Sequence, residues 1–392
     1  MNNRQLFLQY IAQTSPKPIG IEMAKAEGVY IWDTAGKKYI DGIAGFSVCN
    51  IGHSNAAVVK AVQQQAADYM HVIVYGEFIE TPQVAYAATL VKHLPNSLNT
   101  VYFTNSGAEA TEGAMKLAKR VTNRTKIIAA NHAYHGSTQG ALSVMGDEYW
   151  RNAFRPLLPD IFHLDYGTQQ FINAIDSQTA CVILETVQAE SGVKAPTKEW
   201  LQLVRKKCDE HCVLLILDEI QAGFGRTGTL WAFEQFGIVP DILLLGKALG
   251  GGMPLGAFIA SNQLMSTLTN NPVLGHITTF GGHPVSCAAG KAAFDFLIGN
   301  NILETIATKQ AILKERLQHS AIKNIQSHGL WCSLQFESAE LTQSIAERCV
   351  KNGLITDWFL FAPDRIRIAP PLTITEEELK DLCRILVRSI TD

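Results

Sequence analysis

Two short, wholly apolar segments of this chain each lead directly into a charged residue. The run VLLIL at 213–217 is followed by Asp218, and the run ILLL at 242–245 is followed by a glycine and Lys247. Runs without a polar position are typical of parallel strands that are covered on both faces. Ligands bind at the carboxyl ends of such strands. The sequence therefore predicts a parallel α/β sheet that carries Asp218 and Lys247 at its ligand-binding edge.

A lysine and a carboxylate in these positions predict one particular cofactor. A lysine after a strand is usually a solvated or salt-bridged residue, so Lys247 alone indicates little. A partly desolvated lysine amine, however, forms Schiff bases, and a buried carboxylate is the partner that a protonated pyridine nitrogen needs. Three glycines at 250–252 leave backbone room for a flat ligand. We therefore predict a pyridoxal phosphate site on Lys247 and Asp218, although Asp218 could also serve only as a helix cap.

A phosphate-binding segment is the next requirement of such a site. The apolar stretch VYFT at 101–104 is followed by NSGAEA at 105–110, which reads as a helix start made of small residues. Backbone N–H groups and the helix dipole favour an anion at such a start. We predict that the segment 105–110 forms the anion cradle of the phosphate, although an ordinary helix N-cap would have the same sequence pattern.

Composition excludes several classes of partner. The chain has 392 residues, with 47% hydrophobic and 18% charged residues and a formal net charge of -3. This balance shows no bias toward nucleic acid or an anionic membrane. No basic segment followed by an apolar one opens the chain, and no apolar run nears the length of a bilayer. We expect a cytoplasmic protein with small-molecule partners.

The eight cysteines are scattered and form no CxxC pair. Such cysteines are typical of reduced core residues in a cytoplasmic protein. Cys208, His211 and Cys212 lie close together, but no second pair of metal ligands accompanies them, so we predict no metal site.

The order of the predicted elements suggests two domains. Apolar runs alternate with helical stretches between residues 51 and 285, which favours one large α/β domain. From about residue 285 long helices dominate, at 285–299, 300–319, 338–352 and 375–390, and a hairpin pattern precedes residue 42. We predict a large cofactor-binding domain at 51–285 and a smaller domain built from 1–50 and 286–392.

Several motifs together resemble one family, the class III pyridoxal-phosphate-dependent aminotransferases of fold type I, and most of all its acetylornithine and ornithine group. The motifs are NSGAEA at 105–110, YHG at 134–136, ETVQAESG at 185–192, DEIQAGFGRTG at 218–228, LGKALGGGMPLGA at 245–257, HITTFGGHP at 276–284 and RIAPPL at 367–372. The resemblance covers nearly the whole chain. It implies a large domain with a mostly parallel seven-stranded sheet and a smaller α+β domain from both chain ends.

The resemblance also implies roles for individual residues at the cofactor. Lys247 would form the aldimine and carry the proton between Cα and the cofactor, and Asp218 would keep the ring nitrogen protonated. The other cofactor-binding residues would be Ser106, Gly107, Ala108, Tyr134 stacked on the ring, His135, Glu185, Gln221 near the ring hydroxyl, and Thr279. In this family the matching threonine reaches the phosphate of the neighbouring subunit, so we expect a homodimer with a shared active site.

Substrate-binding residues follow from the same resemblance. Glu190 and Arg367 match a pair that opens in the ornithine-type members to give the arginine to an α-carboxylate, although such a pair could also be an ordinary salt bridge. Phe46 and Ser137 are the other candidates. Ser137 stands where the acetylornithine, ornithine and 4-aminobutyrate enzymes usually carry an arginine, and Arg151 and Arg155 could replace that arginine from a neighbouring loop.

Smaller departures from the family pattern are Thr186, Ala189 and His283, none of which removes a catalytic group. We expect a transaminase that passes an amino group from an acetylornithine- or ornithine-like donor to a 2-oxo acid such as 2-oxoglutarate, in a ping-pong cycle. Alternatives are another specificity, such as 4-aminobutyrate or another ω-amine with pyruvate, and a pyridoxal phosphate aminomutase or decarboxylase. A binding protein without activity would need neither Lys247 nor Asp218.

Overall fold

A computed structural model describes residues 1–391, and Asp392, the last residue of the predicted C-terminal domain, lies outside them. The strands in chain order are β1 (Met23–Glu27), β2 (Tyr30–Asp33), β3 (Lys38–Asp41), β4 (Thr100–Thr104), β5 (Lys126–Ala130), β6 (Ile161–Leu164), β7 (Thr179–Glu185), β8 (Leu214–Asp218), β9 (Ile242–Leu245), β10 (Gly256–Ala260), β11 (Asn324–Ser327), β12 (Cys332–Gln335), β13 (Leu354–Ile355), β14 (Asp357–Phe359) and β15 (Ala362–Ile368).

Helices connect these strands. They are Asn3–Tyr10, Ala56–Asp68, Thr81–Lys92, Gly107–Thr122, Gln139–Ser143, Glu148–Arg151, Gln169–Asn173, Lys198–His211, Asn262–Met265, Pro284–Gly299, Ile306–Arg316, Ala339–Lys351 and Glu376–Thr391, with 3₁₀ turns at Asn152–Phe154, Ala232–Phe236, Lys247–Gly250, Ser266–Thr269 and Ile302–Thr305. Within residues 1–391, no helix combines the length and the apolar character that crossing a bilayer requires.

The central sheet has seven strands in the order β4-β10-β9-β8-β7-β5-β6. All neighbours from β9 to β6 pair in parallel, whereas β10 runs antiparallel to both β9 and β4. Every residue of β7, β9 and β10 is buried, because these strands are covered on both faces. The predicted mostly parallel seven-stranded sheet is confirmed.

The register of this sheet brings the charged strand ends together. Asp218, the last residue of β8, lies opposite Leu244 of β9 on one side and opposite Glu185 of β7 on the other. Lys247 follows the end of β9 at the same edge of the sheet. The carboxyl ends of three neighbouring parallel strands therefore place Glu185, Asp218 and Lys247 side by side.

Two smaller sheets involve the ends of the chain. The first has the order β1-β2-β3-β13, and its β3 pairs in parallel with β13, so it joins residues near the N-terminus to residues after 350. The second has the order β11-β12-β15-β14 and carries Arg367 on β15.

Two details of the sequence prediction are wrong. The stretch 300–319 is not one helix, because Asn301 takes a left-handed backbone (φ 52°) and a 3₁₀ turn at Ile302–Thr305 precedes the helix Ile306–Arg316. Strand β6 was not predicted, because it lies at the edge of the sheet and none of its residues is fully buried. An edge strand lacks the continuous apolar run that marks a central one.

Candidate active site

A cavity of about 190 Å³ opens at the carboxyl ends of β7 and β8. Its walls are formed by Gly107, Ala108, Tyr134, His135, Gly136, Ser137, Glu185, Val187, Ala189, Asp218, Ile220, Gln221, Ala222 and Lys247. Most of the residues predicted to bind the cofactor are among them, as is Ser137. The other predicted residues, Ser106, Thr279, Glu190, Arg367 and Phe46, do not line this cavity.

Lys247 projects its amine into the cavity from a strained backbone. Its φ of 47° is in the left-handed region, which a residue with a side chain occupies only at a cost. Its Nζ donates a hydrogen bond to Oε1 of Gln221 at 3.0 Å. Burial lowers the pKa of the Lys247 amine, since charge is disfavoured there. The amine is thus held in place and shifted toward its neutral, nucleophilic form.

Asp218 is buried, and two hydrogen bonds fix its carboxylate. Its Oδ1 accepts from the backbone N–H of Ile220 at 2.9 Å, and its Oδ2 lies 2.7 Å from Nδ1 of His135. The other ring nitrogen of His135, Nε2, is buried and has no hydrogen-bond partner within residues 1–391. The imidazole thus orients the carboxylate at the cavity wall.

Glu185 holds the loop that carries Tyr134. Its two carboxylate oxygens accept hydrogen bonds from the backbone N–H groups of Tyr134 at 3.0 Å and Ala189 at 2.8 Å. Burial raises the pKa of Glu185 to about 7. The hydroxyl of Tyr134 lies 3.2 Å from Oγ of Ser137 across the mouth of the cavity. Glu185 therefore acts mainly on the position of the aromatic ring.

The phosphate-binding segment of the sequence forms a narrow backbone cradle. Ser106 caps the helix Gly107–Thr122, and its Oγ accepts from the backbone N–H of Glu109 at 3.2 Å. The amides of Gly107 and Ala108 belong to the first helical turn, whose N–H groups have no partner within a helix. A Cβ on Gly107 would lie 2.6 Å from Cδ1 of Ile220, so a larger residue would require the Ile220 side chain to move. The open N–H groups and the dipole of this helix suit an anion.

The residues of the cavity fit pyridoxal phosphate. A phosphate suits the N–H groups of Gly107 and Ala108, a pyridinium nitrogen suits Asp218, and an aldehyde suits the amine of Lys247. The Nε2 group of Gln221 is a buried donor without a partner within residues 1–391, as a ring hydroxyl would require. One ligand with these functional groups would satisfy all four sites.

Glu190 and Arg367 form a buried ion pair outside this cavity. Nη1 and Nη2 of Arg367 donate to the two carboxylate oxygens of Glu190 at 2.9 and 2.8 Å. Burial opposes the charge on Glu190, but the guanidinium outweighs it and holds the pKa of Glu190 below its usual value. Both residues are therefore charged, and the two-pronged geometry is the one a substrate carboxylate would use.

Phe46 reaches this pair from a left-handed backbone turn. Residues 44–47 all have φ between 49° and 64°, although only one of them is glycine. Such a turn costs about 1–2 kcal/mol for each residue with a side chain. Asp41 stabilises it, because its Oδ1 accepts from the backbone N–H groups of Ile43 and Ala44, both at 2.9 Å. The turn places the Phe46 ring 5.1 Å from the guanidinium carbon of Arg367.

Thr279 lies on an exposed segment away from the cavity. Its neighbour Thr278 accepts a hydrogen bond from Asn105 at 3.1 Å, whereas the Thr279 side chain is exposed and makes no hydrogen bond within the described residues. His283 stacks on His71 with ring centroids 5.8 Å apart, so it shapes the end of the same segment.

Arg151 and Arg155 are the candidates to replace the arginine that is missing at Ser137. Both bind the carboxylate of Glu148, and Arg151 also donates to the carbonyl of Met145 at 3.1 Å. Neither lines the cavity. Glu148 holds both guanidinium groups in this structure, and a loop carbonyl also binds that of Arg151, so a contact of either arginine with the substrate stays a prediction.

Sequence reasoning did not assign a site role to several residues of this region. Val187 and Ile220 line the cavity, and Asp357 contacts Arg367. Val187 lies two residues beyond Glu185, within a quoted motif, so strand periodicity could have indicated it. Asp357 gives a weaker signal, namely one acidic residue before the apolar run WFLF.

Comparison with known proteins identifies relatives over nearly the full length. The family model "Aminotransferase class-III" matches residues 10–390. The chain is 37% identical to acetylornithine aminotransferase of Methanopyrus kandleri, over 97% of this chain and 96% of the relative. It is 36% identical to ornithine aminotransferase 1 of Staphylococcus aureus, over 97% and 98%.

Solved structures give the same result for the fold. The ornithine aminotransferase of Toxoplasma gondii superposes with a TM-score of 0.92 at 28% identity, covering 100% of this chain and 96% of that one. An (S)-enantioselective omega-transaminase of Thermomicrobium roseum has a TM-score of 0.90 at 28% identity, covering 100% and 98%.

Proposed function

The chain belongs to the class-III aminotransferase family, and from this premise we propose that it transfers an amino group from an acetylornithine- or ornithine-like donor to a 2-oxo acid such as 2-oxoglutarate. The observation that carries the proposal is the cavity in which the amine of Lys247, the carboxylate of Asp218 and the N–H groups of Gly107 and Ala108 line one space. A scaffold protein has no need of this combination.

The cofactor we propose is pyridoxal phosphate, which supplies the electron sink for amino-group exchange when it is bound. A Toxoplasma gondii ornithine aminotransferase structure, similar to this chain at 28% identity, is described with pyridoxal phosphate at its active site. The residues that would hold the cofactor in one chain are Ser106, Gly107, Ala108, Tyr134, His135, Glu185, Asp218, Gln221 and Lys247, and we propose that Thr279 acts on the phosphate of the neighbouring subunit.

Lys247 is the residue that moves a proton at the substrate Cα. A neutral amine is needed for this task, and burial favours that form of Lys247. Gln221 holds the amine by one hydrogen bond, so the amine stays close to the reacting carbon. Asp218 acts on the ring nitrogen rather than at Cα. Its fixed negative charge would favour a protonated pyridine nitrogen.

Arg367 is the residue that we propose binds a substrate carboxylate. Its guanidinium is buried and already pairs with Glu190 in a two-pronged contact. A substrate carboxylate would replace Glu190, and Glu190 would neutralise the arginine while a substrate without that group is bound.

The substrate prediction concerns Ser137. A serine hydroxyl gives one neutral hydrogen bond, whereas an arginine gives a charged pair, and the difference is about ten- to a hundredfold in affinity. No arginine lines the cavity. If the enzyme uses substrates with two carboxylates, we expect Ser137→Arg to lower the KM for 2-oxoglutarate about tenfold or more.

The measurement is steady-state kinetics of wild type and Ser137→Arg with acetylornithine, ornithine, 4-aminobutyrate and an uncharged ω-amine, each against 2-oxoglutarate and pyruvate. Wild-type preference for the uncharged amine with pyruvate would support a second candidate function, which Ser137 favours: an ω-amine transaminase whose substrates carry one carboxylate. Efficient use of acetylornithine with 2-oxoglutarate, without any gain from Ser137→Arg, would contradict a specificity role for Ser137.

The assembly we propose is a homodimer. The helix Asn3–Tyr10 buries none of its residues, Ile79 is 94% exposed, and Ile277 and Phe280 flank the exposed Thr279. Exposed apolar side chains are candidates for an interface when they lie together, and we propose that these meet a second copy of the chain. We expect light scattering to give at least twice the mass of one chain.

Thr279→Ala is expected to weaken retention of pyridoxal phosphate about tenfold, because one hydrogen bond to a charged phosphate is lost. Equilibrium dialysis of the cofactor measures this loss. Thr125→Ala, at another exposed threonine, is the control and should bind normally. A fully active monomer, or equal cofactor affinity in the two variants, would contradict the proposal.

A further inference from the structure

Arg367 contacts a second carboxylate besides that of Glu190. Its Nε lies 3.2 Å from Oδ1 of Asp357, while Nη1 and Nη2 both face Glu190. The Arg367 side chain is only 1% exposed. Within residues 1–391, the carboxylates of Glu190 and Asp357 are the acidic groups within ion-pair distance of its guanidinium. One buried cation therefore has two anionic partners on different edges of its guanidinium.

The two partners are attached to the protein in different ways. Asp357 is on β14 and lies directly opposite Arg367 of β15 in the sheet register, so both side chains belong to one rigid element. Thr356, next to Asp357, donates its hydroxyl to the carbonyl of Arg367 at 2.6 Å. Glu190 instead lies in the loop after β7. Besides Arg367, the Glu190 carboxylate is held by the backbone N–H of Leu360, which donates to its Oε2 at 2.9 Å. Asp357 is fixed beside Arg367 by the strand pairing, whereas Glu190 is not part of a strand, so we take Glu190 as the partner that leaves.

The two carboxylates also contact different edges of the Arg367 guanidinium: Glu190 contacts Nη1 and Nη2, and Asp357 contacts Nε. The Nη1–Nη2 fork binds a carboxylate with two parallel hydrogen bonds, whereas a contact at Nε leaves this fork free. The rings of Phe359 and Phe46 lie 4.5 and 5.1 Å from the guanidinium carbon and cover it. Rotation of the guanidinium within its own plane is then restrained by Asp357.

We propose that Asp357 is a positioning residue for substrate binding: it keeps Arg367 paired and aligned while the Nη1–Nη2 fork exchanges Glu190 for a substrate carboxylate. This inference rests on the proposed transaminase function. A buried guanidinium that loses its only partner carries a large desolvation penalty. Asp357 reduces that penalty, because its carboxyl group stays beside Nε of Arg367 during the exchange.

Asp357 forms one group of interacting charges with Arg367 and Glu190. Burial raises the pKa of Asp357 to about 7, and Glu190 and Asp41 raise it too, whereas Arg367 lowers it. Repulsion from a charged Asp357 acts on Glu190 and on a substrate carboxylate at the same fork, so it does not by itself favour either of them. The contact at Nε does not have the geometry of a hydrogen bond while Glu190 is bound. We expect it to become one when Glu190 leaves.

The test uses the dimeric holoenzyme in single-turnover half-reactions, followed by the absorbance of the cofactor. Asp357→Ala is expected to weaken apparent binding of 2-oxo acids about tenfold, since a charged contact to the carboxylate-binding residue is lost, with the limiting rate changed less than about twofold. Asp357→Asn keeps an oxygen acceptor, and we expect a loss of about threefold. The half-reaction with an ω-amine that has no carboxylate should be unaffected.

Asp364→Asn is the matched control, because Asp364 is an acidic residue of β15 that binds Gln335 and does not contact Arg367. It should behave as wild type. Equal losses for the carboxylate-free amine would show a merely structural role, and unchanged 2-oxo acid binding in a folded Asp357→Ala would also overturn the inference. If Asp357→Ala does not fold, unchanged binding of 2-oxo acids by Asp357→Asn would overturn the inference instead.

A wild-type enzyme that turns over no donor and acceptor pair would overturn the proposed function, and this inference with it. Normal wild-type turnover without any effect at Asp357 would overturn the inference alone.

Discussion

Replacing Lys247 by alanine is expected to lower the rate of transamination on the order of 10⁴-fold, because the group that transfers the proton at Cα is lost. Among residues 1–391, Lys247 is the lysine that lines the cavity, so its loss leaves that cavity without an amine from this part of the chain. The variant should still bind pyridoxal phosphate, since the N–H groups of Gly107 and Ala108 and the carboxylate of Asp218 are unchanged. Steady-state rates and the absorption spectrum of the purified variant measure both expectations.

Lys309→Ala is the matched control for this change. Lys309 is also buried, and burial lowers the pKa of its amine too, but it donates to the carbonyl of Leu372 and lies outside the cavity. We expect lower stability and a normal turnover number for the folded control. Near-normal transamination by Lys247→Ala would remove Lys247 from the mechanism.

Replacing Asp218 by alanine is expected to lower the rate on the order of 10²- to 10³-fold, the usual effect of removing one preorganised charge from an active site. Without this carboxylate the pyridine nitrogen is no longer kept protonated, and the electrons left at Cα are poorly accommodated. Lys247 and its bond to Gln221 do not depend on Asp218, so the cofactor should still be attached. Asp218→Asn, which has the same size, should show a similar loss.

Glu219→Gln is the control for Asp218. Glu219 is the neighbouring buried carboxylate, but it accepts hydrogen bonds from Thr186 and the backbone of Ala232 and Phe233 and does not line the cavity. It should lose stability rather than rate. An unchanged rate in Asp218→Ala, or an equal rate loss in Glu219→Gln, would contradict the role of Asp218.

The central sheet and its charged edge were predictable because parallel strands leave a simple mark on the sequence. A strand covered on both faces cannot contain a polar side chain without a partner, so β8 and β9 appear as unbroken apolar runs. Parallel strands also end at one edge, so Asp218 and Lys247 were expected together before their register was known. Their placement follows from this rule, and their roles stay predictions.

Features that depend on contacts between distant segments were not predictable. The sequence does not show that Glu148 binds the guanidinium groups of both Arg151 and Arg155. In the same way, Asp357 contacts Arg367 because β14 pairs with β15, which a sequence pattern does not reveal. The left-handed turn at residues 44–47 contains three residues with side chains, and hydrogen bonds to Asp41 and within the turn's own backbone stabilise it. Strand β6 lies at the edge of the sheet, where its side chains are partly exposed, and it therefore lacks the unbroken apolar run of a central strand.

Locating the cofactor on the chain tests the account most directly. The purified protein, saturated with pyridoxal phosphate, is reduced with borohydride, digested with a protease and examined by mass spectrometry, with Lys247→Ala treated in parallel. We predict that the visible absorbance is lost and that one phosphopyridoxyl group per chain is found on the peptide that contains Lys247, whereas the variant acquires none. A group on another lysine, or an active enzyme that carries no such group, would contradict the account.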